Sequence, residues 1–191
     1  MQEKNEGKLE ELWFQIGEFF TKELEYIQLT NYIVLYGMNV VGEEDKKPSQ
    51  DKPSISDLIL PFTQESNLSL ELKRQEQLEP LFSKIENILE ENKKLEKNKQ
   101  PPREDILKII ARETKESFQD NVQAALDFIG LIIHKRIQGR DLVISSIAIL
   151  TPVLQEHADF DNRTILSNAT RSCMNYQLQL NNVKKELQKL Q

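Results

Sequence analysis

The chain has 191 residues and a net charge of −6, with 38% hydrophobic and 29% charged residues. This length can bury a core without disulfides or a metal, and the composition is typical of a folded protein rather than a disordered one. The negative charge argues against a general nucleic-acid binder, because neutralising phosphates requires an excess of Lys and Arg. The single cysteine, Cys173, has no partner for an intrachain disulfide.

The N-terminal sequence MQEKNEGKLEEL is acidic and polar. It lacks the basic-then-apolar order of a secretory signal and the Arg-rich composition of a transit peptide. Together with the single cysteine, this favours an intracellular, reducing compartment, and we expect the cytoplasm.

An apolar stripe predicts a long first helix over Leu9–Val41, within an N-terminal amphipathic segment of residues 1–42. The continuation TNYIVLYGMNVVG is rich in β-branched and aromatic residues, so a strand over 27–41 is the alternative. The stripe residues recur at helical spacings of three and four: Leu9, Leu12, Trp13, Ile16, Phe20, Leu24 and Ile27.

Residues 43–67 are predicted to be a polar loop that contains one short helix. Its first part, EEDKKPSQDKPS, carries two prolines and no periodicity. The stretch SDLILPF is expected to form the short helix, and Pro61 is expected to end it. A turn is predicted over Gln64 to Asn67.

Residues 68–191 are predicted to form a helical bundle. Apolar spacing indicates a helix over Leu78–Leu95, in which Pro80 either introduces a kink or marks the start of the regular part. A second helix is predicted over Ile106–Ile137. Its polar middle, ARETKESFQDN, leaves two helices with a joint as an equal alternative. A third is predicted over Leu142–Leu154.

The C-terminal segment 162–191 contains neither Gly nor Pro and is predicted to form a coiled-coil-like helix, chiefly over Ile165–Leu190. Its apolar positions follow a heptad pattern: Ala169, Cys173, Tyr176, Leu180, Val183, Leu187 and Leu190. The predicted fold class is therefore all-α. We expect an antiparallel bundle of about five to seven helices with a long C-terminal coiled-coil-like helix.

The stretch LDFIGLIIHKRIQGRDLVISSIAIL, residues 126–150, places a basic cluster between two apolar runs. Each run has about ten to thirteen residues, fewer than the roughly 20 that cross a bilayer, so no membrane span is expected. Lys135, Arg136 and Arg140 are a candidate anion contact. The alternative is helix punctuation, with basic residues in a last turn, Gly139 after it, and Asp141 as the next N-cap.

Motifs for catalysis, metal binding or cofactor binding are not found in the sequence. The segment HADFDN, residues 157–162, resembles a calcium loop but departs from the EF-hand spacing. Cys173 falls on the heptad seam, which is typical of a buried hydrophobe rather than a nucleophile. His134 and His157 belong to no triad signature. We therefore expect no cofactor, no metal and a non-enzymatic protein.

Two helical faces are candidate partner-binding surfaces. Trp13 and Phe14 open an aromatic patch on a helix that is apolar on more than one side, which indicates either a core position or a partner contact. The heptad seam supplies the second set: Tyr176, Leu180, Val183 and Leu187. These patterns predict a protein–protein interaction subunit or adaptor of a larger intracellular assembly, or a protein that self-associates through helices.

The alternative function is that of a nucleic-acid-associated small subunit. It would contact backbone phosphates through Lys135, Arg136 and Arg140. A helical bundle that holds an apolar ligand is a third alternative.

Overall fold

A computed structural model describes residues 2–44 and 55–136 and the isolated positions 152 and 171, with side chains described over 6–37 and 57–136 among them. Every element in this part of the chain is a helix, which confirms the all-α prediction. The helices are α1 (Gln2–Glu44), α2 (Ile55–Lys73), α3 (Leu78–Lys94), α4 (Arg103–Ser117) and α5, described over 122–136. The predicted helices Leu142–Leu154 and Ile165–Leu190, including the coiled-coil-like helix, lie outside the described residues.

Helix α1 is continuous for 43 residues, so the strand alternative over 27–41 is wrong. Burial at helical spacing explains this outcome, because Tyr26, Thr30, Ile33 and Gly37 form one buried face. Burying that face outweighs the weak β preference of the local residues. Leu35 lies on the opposite, exposed side of the helix.

Helix α2 corrects two predictions, because it runs through Pro61 and through the predicted turn at Gln64 to Asn67. Its buried positions recur at spacings of four and three: Leu58, Phe62, Glu65, Ser69 and Leu72. Two of these five residues are polar, so the apolar stripe is interrupted in the sequence. The helix is therefore regular in space although its pattern is broken in sequence.

Pro61 lies in the seventh position of α2 and is only half-buried. A proline in a helix interior removes one backbone hydrogen bond and costs about 3 kcal/mol. Burial of Leu58, Ile59 and Phe62 around it offsets this cost, since each such side chain contributes about 1.5–3 kcal/mol. The proline therefore weakens the helix without ending it.

Helix α3 begins at Leu78, which confirms that its regular part starts beside Pro80. Pro80 is the third residue of the helix, where a backbone N–H would have no acceptor within the helix. A hydrogen-bonded turn at 74–77 separates α3 from α2.

The predicted helix Ile106–Ile137 is two helices, α4 and α5, so the alternative with a joint is confirmed. The Gln119 N–H bonds to the Glu116 carbonyl at 3.0 Å, and the Asp120 N–H bonds to the Lys115 carbonyl at 3.1 Å. This pair of bonds is a Schellman motif. Gln119 and Asp120 both have positive φ, at 51° and 61°. Asn121 then caps α5 by accepting the Ala124 N–H at 3.1 Å.

The chain divides into two compact units. Unit 1 comprises Met1–Leu24 and Glu71–Leu131. At its centre, the Phe20 ring stacks on Phe118, with centroids 5.7 Å apart, and meets Phe82 edge-on at 6.1 Å. A Cβ built on Gly17 would lie 2.9 Å from the Ala111 Cα, so α1 and α4 approach closely there.

Unit 2 comprises Glu25–Leu70 and Ile132–Gln191. A Cβ built on Gly37 would lie 2.3 Å from the Ile59 Cδ1, which places α1 and α2 in close contact at that level. Ser66 on α2 and Asn31 on α1 are hydrogen-bonded. The unit also contains the polar network described below.

Candidate functional site

Four residues from three helices of unit 2 form a buried polar network. The Arg136 Nη1 forms an ion pair with the Glu65 Oε2, and both side chains are almost completely buried. The Arg136 Nη2 donates to the Ser69 Oγ at 3.0 Å. The guanidinium carbon lies 4.5 Å from the centroid of the Tyr26 ring. The two polar positions of the α2 stripe are therefore matched by one basic side chain from α5.

The network is closed on its other side by hydroxyl groups. The Tyr26 hydroxyl donates to the Glu65 Oε2 at 3.2 Å, and the Ser69 Oγ donates to the Glu65 backbone carbonyl at 2.7 Å. Opposite charges are thus paired, and both hydroxyls are used. A buried charge is tolerated only with this kind of pairing, since an uncompensated one costs several kcal/mol. The network therefore links α1, α2 and α5 through side-chain contacts.

The predicted anion contact falls partly on this network. Arg136 is 0% exposed and is occupied by Glu65, so a phosphate would have to displace a buried carboxylate to reach it. Lys135 is half-buried and has interactions of its own within the chain. Arg140 lies outside the described residues. Within the described part of the chain, the buried Arg136 is therefore not a surface contact for an anion.

The structure describes one of the two predicted partner-binding sets. Trp13 is only 3% exposed and lies in the core of unit 1, the alternative that the sequence left open, while Phe14 is half-buried. No acceptor for the Trp13 indole N–H is found among the described residues. The seam residues Tyr176, Leu180, Val183 and Leu187 lie outside the described residues, and their contacts remain a prediction.

An apolar face on α1, which the sequence did not indicate, is formed by the exposed Leu35 and the half-buried Tyr32 and Tyr36. The two tyrosine rings stack with centroids 6.0 Å apart and an interplanar angle of 10°. Leu35 is 66% exposed, the largest value among the exposed large hydrophobic side chains of the described residues. Gly37, which meets α2, is two residues beyond Leu35 and so points to a different side of the helix.

The described residues contain no cluster of three His, Cys, Asp or Glu side chains that could hold a metal ion. Among the same residues, none of the helices is long and apolar enough to cross a membrane. No protein-family model, no curated protein and no solved structure matches this chain.

Proposed function

We propose that this protein is a non-enzymatic interaction subunit that binds a helix of a partner protein through a partly exposed helical face. The observation that carries the proposal is the face formed by Tyr32, Leu35 and Tyr36 on α1. Aromatic side chains are enriched at protein interfaces because they supply a large contact area at a small cost in conformational entropy.

A partner helix would cover Leu35 and pack against the edges of the stacked tyrosines. Full burial of a leucine contributes about 1.5–3 kcal/mol, and the Tyr32 hydroxyl can bond to a polar group at the rim. The apolar side chains share one face of α1 at spacings of three and four, the pattern by which helices pack on one another. Tyr26, two turns earlier on α1, belongs to the buried network that joins α1 to α2 and α5.

The second surface of the proposal is the heptad seam with Tyr176, Leu180, Val183 and Leu187. Its support is the sequence pattern of alternating three- and four-residue spacings. A subunit with two such faces could join two neighbours in an assembly. The sequence contains no motif to which a reaction can be assigned, which is why we propose a non-catalytic role.

The test places a photo-crosslinking amino acid at position 35 of the full chain in its native cell. The matched control carries the same amino acid at position 109, because Ile109 is an exposed apolar residue of unit 1. We expect a discrete crosslinked protein, identified by mass spectrometry, at position 35 and none at position 109. Equal crosslinking at both positions, or none at position 35, would overturn the proposal.

A substitution gives the quantitative form of the same test. With the crosslinked protein purified, Leu35→Glu should weaken its binding at least ten-fold, because a charge would be buried in an apolar contact. Ile109→Glu should leave binding unchanged. Circular dichroism of both variants checks that the helices are retained. Equal binding of the Leu35→Glu variant and the unsubstituted chain would contradict the assignment of this face.

A further inference from the structure

The basic loop of unit 1 comprises residues 92–103, with the sequence NKKLEKNKQPPR. It takes in the last three residues of α3, the eight connecting residues 95–102, and Arg103, which is the first residue of α4. The loop has five basic residues and one acidic residue, a net charge of +4, whereas the whole chain carries −6. The rest of the chain therefore carries −10, and four exposed acidic residues lie directly beside the loop: Glu90, Glu91, Glu104 and Asp105. Residues 93–103 are all exposed.

The loop has a defined backbone. The Leu95 N–H bonds to the Asn92 carbonyl at 3.2 Å, and the Lys99 N–H bonds to the Glu96 carbonyl at 2.8 Å. The Gln100 side-chain amide donates to the Leu95 carbonyl at 2.9 Å and so closes the loop on itself. Two prolines fix the chain before α4. The charged side chains are therefore presented from a restrained scaffold.

Three of the five basic side chains of this loop form no ion pair within the described part of the chain, while Lys99 is paired and Arg103 has an interaction of its own within the chain. Lys93, Lys94 and Lys97 form no ion pair with any of the described residues, whereas Lys99 bonds to Glu96 at 2.9 Å. The negative end of the α3 dipole accounts for Lys93 and Lys94 in the last turn. It does not account for Lys97, which lies beyond the helix.

Leu95 indicates which class of anionic partner the loop would bind. It is 45% exposed and stands in sequence between Lys94 and Glu96, with further lysines on both sides. An apolar side chain among lysines matches the interface of an anionic bilayer, where ammonium groups reach phosphates and an aliphatic group enters the hydrocarbon boundary. Single-stranded nucleic acid is instead held by stacking on aromatic rings, and residues 92–103 contain none.

We propose that the basic loop is a peripheral docking site for a membrane surface rich in anionic phospholipids, with Lys93, Lys94 and Lys97 at the headgroup phosphates and Leu95 inserted below them. The contact is a surface contact only. It is independent of the protein partner proposed above, because it uses a different unit and different residues.

Flotation of the full chain with vesicles tests this site. Vesicles of phosphatidylcholine containing one-third phosphatidylserine should bind the protein at about 50 mM salt and release it at about 500 mM, because screening shortens the electrostatic range. Pure phosphatidylcholine vesicles should not bind it. Binding that ignores lipid charge, or no binding at low salt, would overturn the proposal.

Two matched triple variants locate the contact. Each basic residue near such a surface changes affinity about five-fold, so Lys93→Gln/Lys94→Gln/Lys97→Gln should bind on the order of 100-fold more weakly. The control Lys84→Gln/Lys108→Gln/Lys115→Gln has the same net charge as the first triple variant. It removes lysines of unit 1 that are paired with acidic residues. The control should bind like the unsubstituted chain. Equal losses in both variants would overturn the assignment to the loop.

A third variant and two competitors identify the ligand. Leu95→Ala should weaken vesicle binding about five- to ten-fold without changing its salt dependence, because only apolar contact is removed. Inorganic phosphate, at matched ionic strength, should not release the protein from vesicles. Release by phosphate would overturn the proposal in favour of an isolated anion site. Tighter binding to a single-stranded RNA, unaffected by Leu95→Ala, would overturn it in favour of nucleic acid.

Discussion

The carboxylate of Glu65 and the guanidinium of Arg136 form a buried ion pair between residues 71 positions apart in the chain. Tyr26 contacts both partners, donating its hydroxyl to Glu65 and presenting its ring to Arg136. Because both charges are removed from water, neither can lose its partner without a large penalty.

Removal of one partner should therefore destabilise the protein. We expect Arg136→Met or Glu65→Leu alone to lower the free energy of unfolding by about 3–5 kcal/mol, because each leaves an uncompensated buried charge. The double variant Arg136→Met/Glu65→Leu should recover most of the lost free energy of unfolding, since two apolar side chains then replace an ion pair that has no net charge. Urea unfolding followed by circular dichroism measures the cycle. The exposed pair Glu96–Lys99 is the control, and Glu96→Gln/Lys99→Gln should be indistinguishable from the unsubstituted chain.

The substitution Gln119→Gly should stabilise the protein by about 0.5–1 kcal/mol. Gln119 is the left-handed residue of the Schellman motif, with φ of 51°, and glycine adopts this conformation without a Cβ clash. The same substitution at the exposed Gln64, inside α2, should destabilise by about 0.5–1 kcal/mol, because glycine is a poor helix former. Thermal and urea unfolding report both. A neutral Gln64→Gly would indicate a turn at this position and contradict the helix.

Gly17→Val should destabilise the protein by about 1–3 kcal/mol. A Cβ at this position would lie 2.9 Å from the Cα and 3.1 Å from the backbone nitrogen of Ala111, and a helix backbone cannot move aside as a side chain can. Gly37→Ala should cost less, because the atoms that the new Cβ meets are the Cδ1 and Cγ1 of the Ile59 side chain, which can change rotamer.

The matched control for the glycine pair is Gly130→Ala on α5. No atom lies within 4 Å of a Cβ built there, so the helix preference of alanine should stabilise the protein by about 0.5–1 kcal/mol. We expect the free energy of unfolding to decrease in the order Gly130→Ala, Gly37→Ala, Gly17→Val, which urea unfolding can measure. A tolerated Gly17→Val would mean that α1 and α4 do not approach closely there.

The heptad seam gives a prediction from sequence alone. If Leu180 and Leu187 contact a partner or a second copy, then Leu180→Glu/Leu187→Glu should reduce the mass in solution or abolish capture of the partner, without unfolding the rest of the chain. Light scattering and quantitative pull-down measure the two effects. Replacement of the polar neighbours, as in Gln179→Glu/Gln188→Glu, is the control. An unchanged mass together with unchanged capture would assign these residues to the interior of the protein.

Continuous apolar stripes made α1 and α3 predictable from the sequence. Helix α2 was not, because Glu65 and Ser69 occupy buried positions and break its stripe, and because Pro61 suggested an end. Polar residues at buried spacing are recognisable only when their partner is known, and Arg136 lies on another helix. The exposed face at Leu35 was missed for a related reason. An apolar residue does not reveal from its type alone which side of a helix is covered.

Synthesis of the chain imposes an order on the buried pair. At about 5–20 residues per second, a ribosome makes Arg136 roughly 4–14 seconds after Glu65. During that interval Glu65 has no guanidinium to neutralise it, and its burial would be unfavourable. We expect α2 to remain only loosely packed on the nascent chain until α5 arrives, whereas Lys84 and Glu113 of unit 1 can meet earlier, after a shorter wait. We expect the ion pair that is buried in the finished protein to delay the packing of α2 during translation.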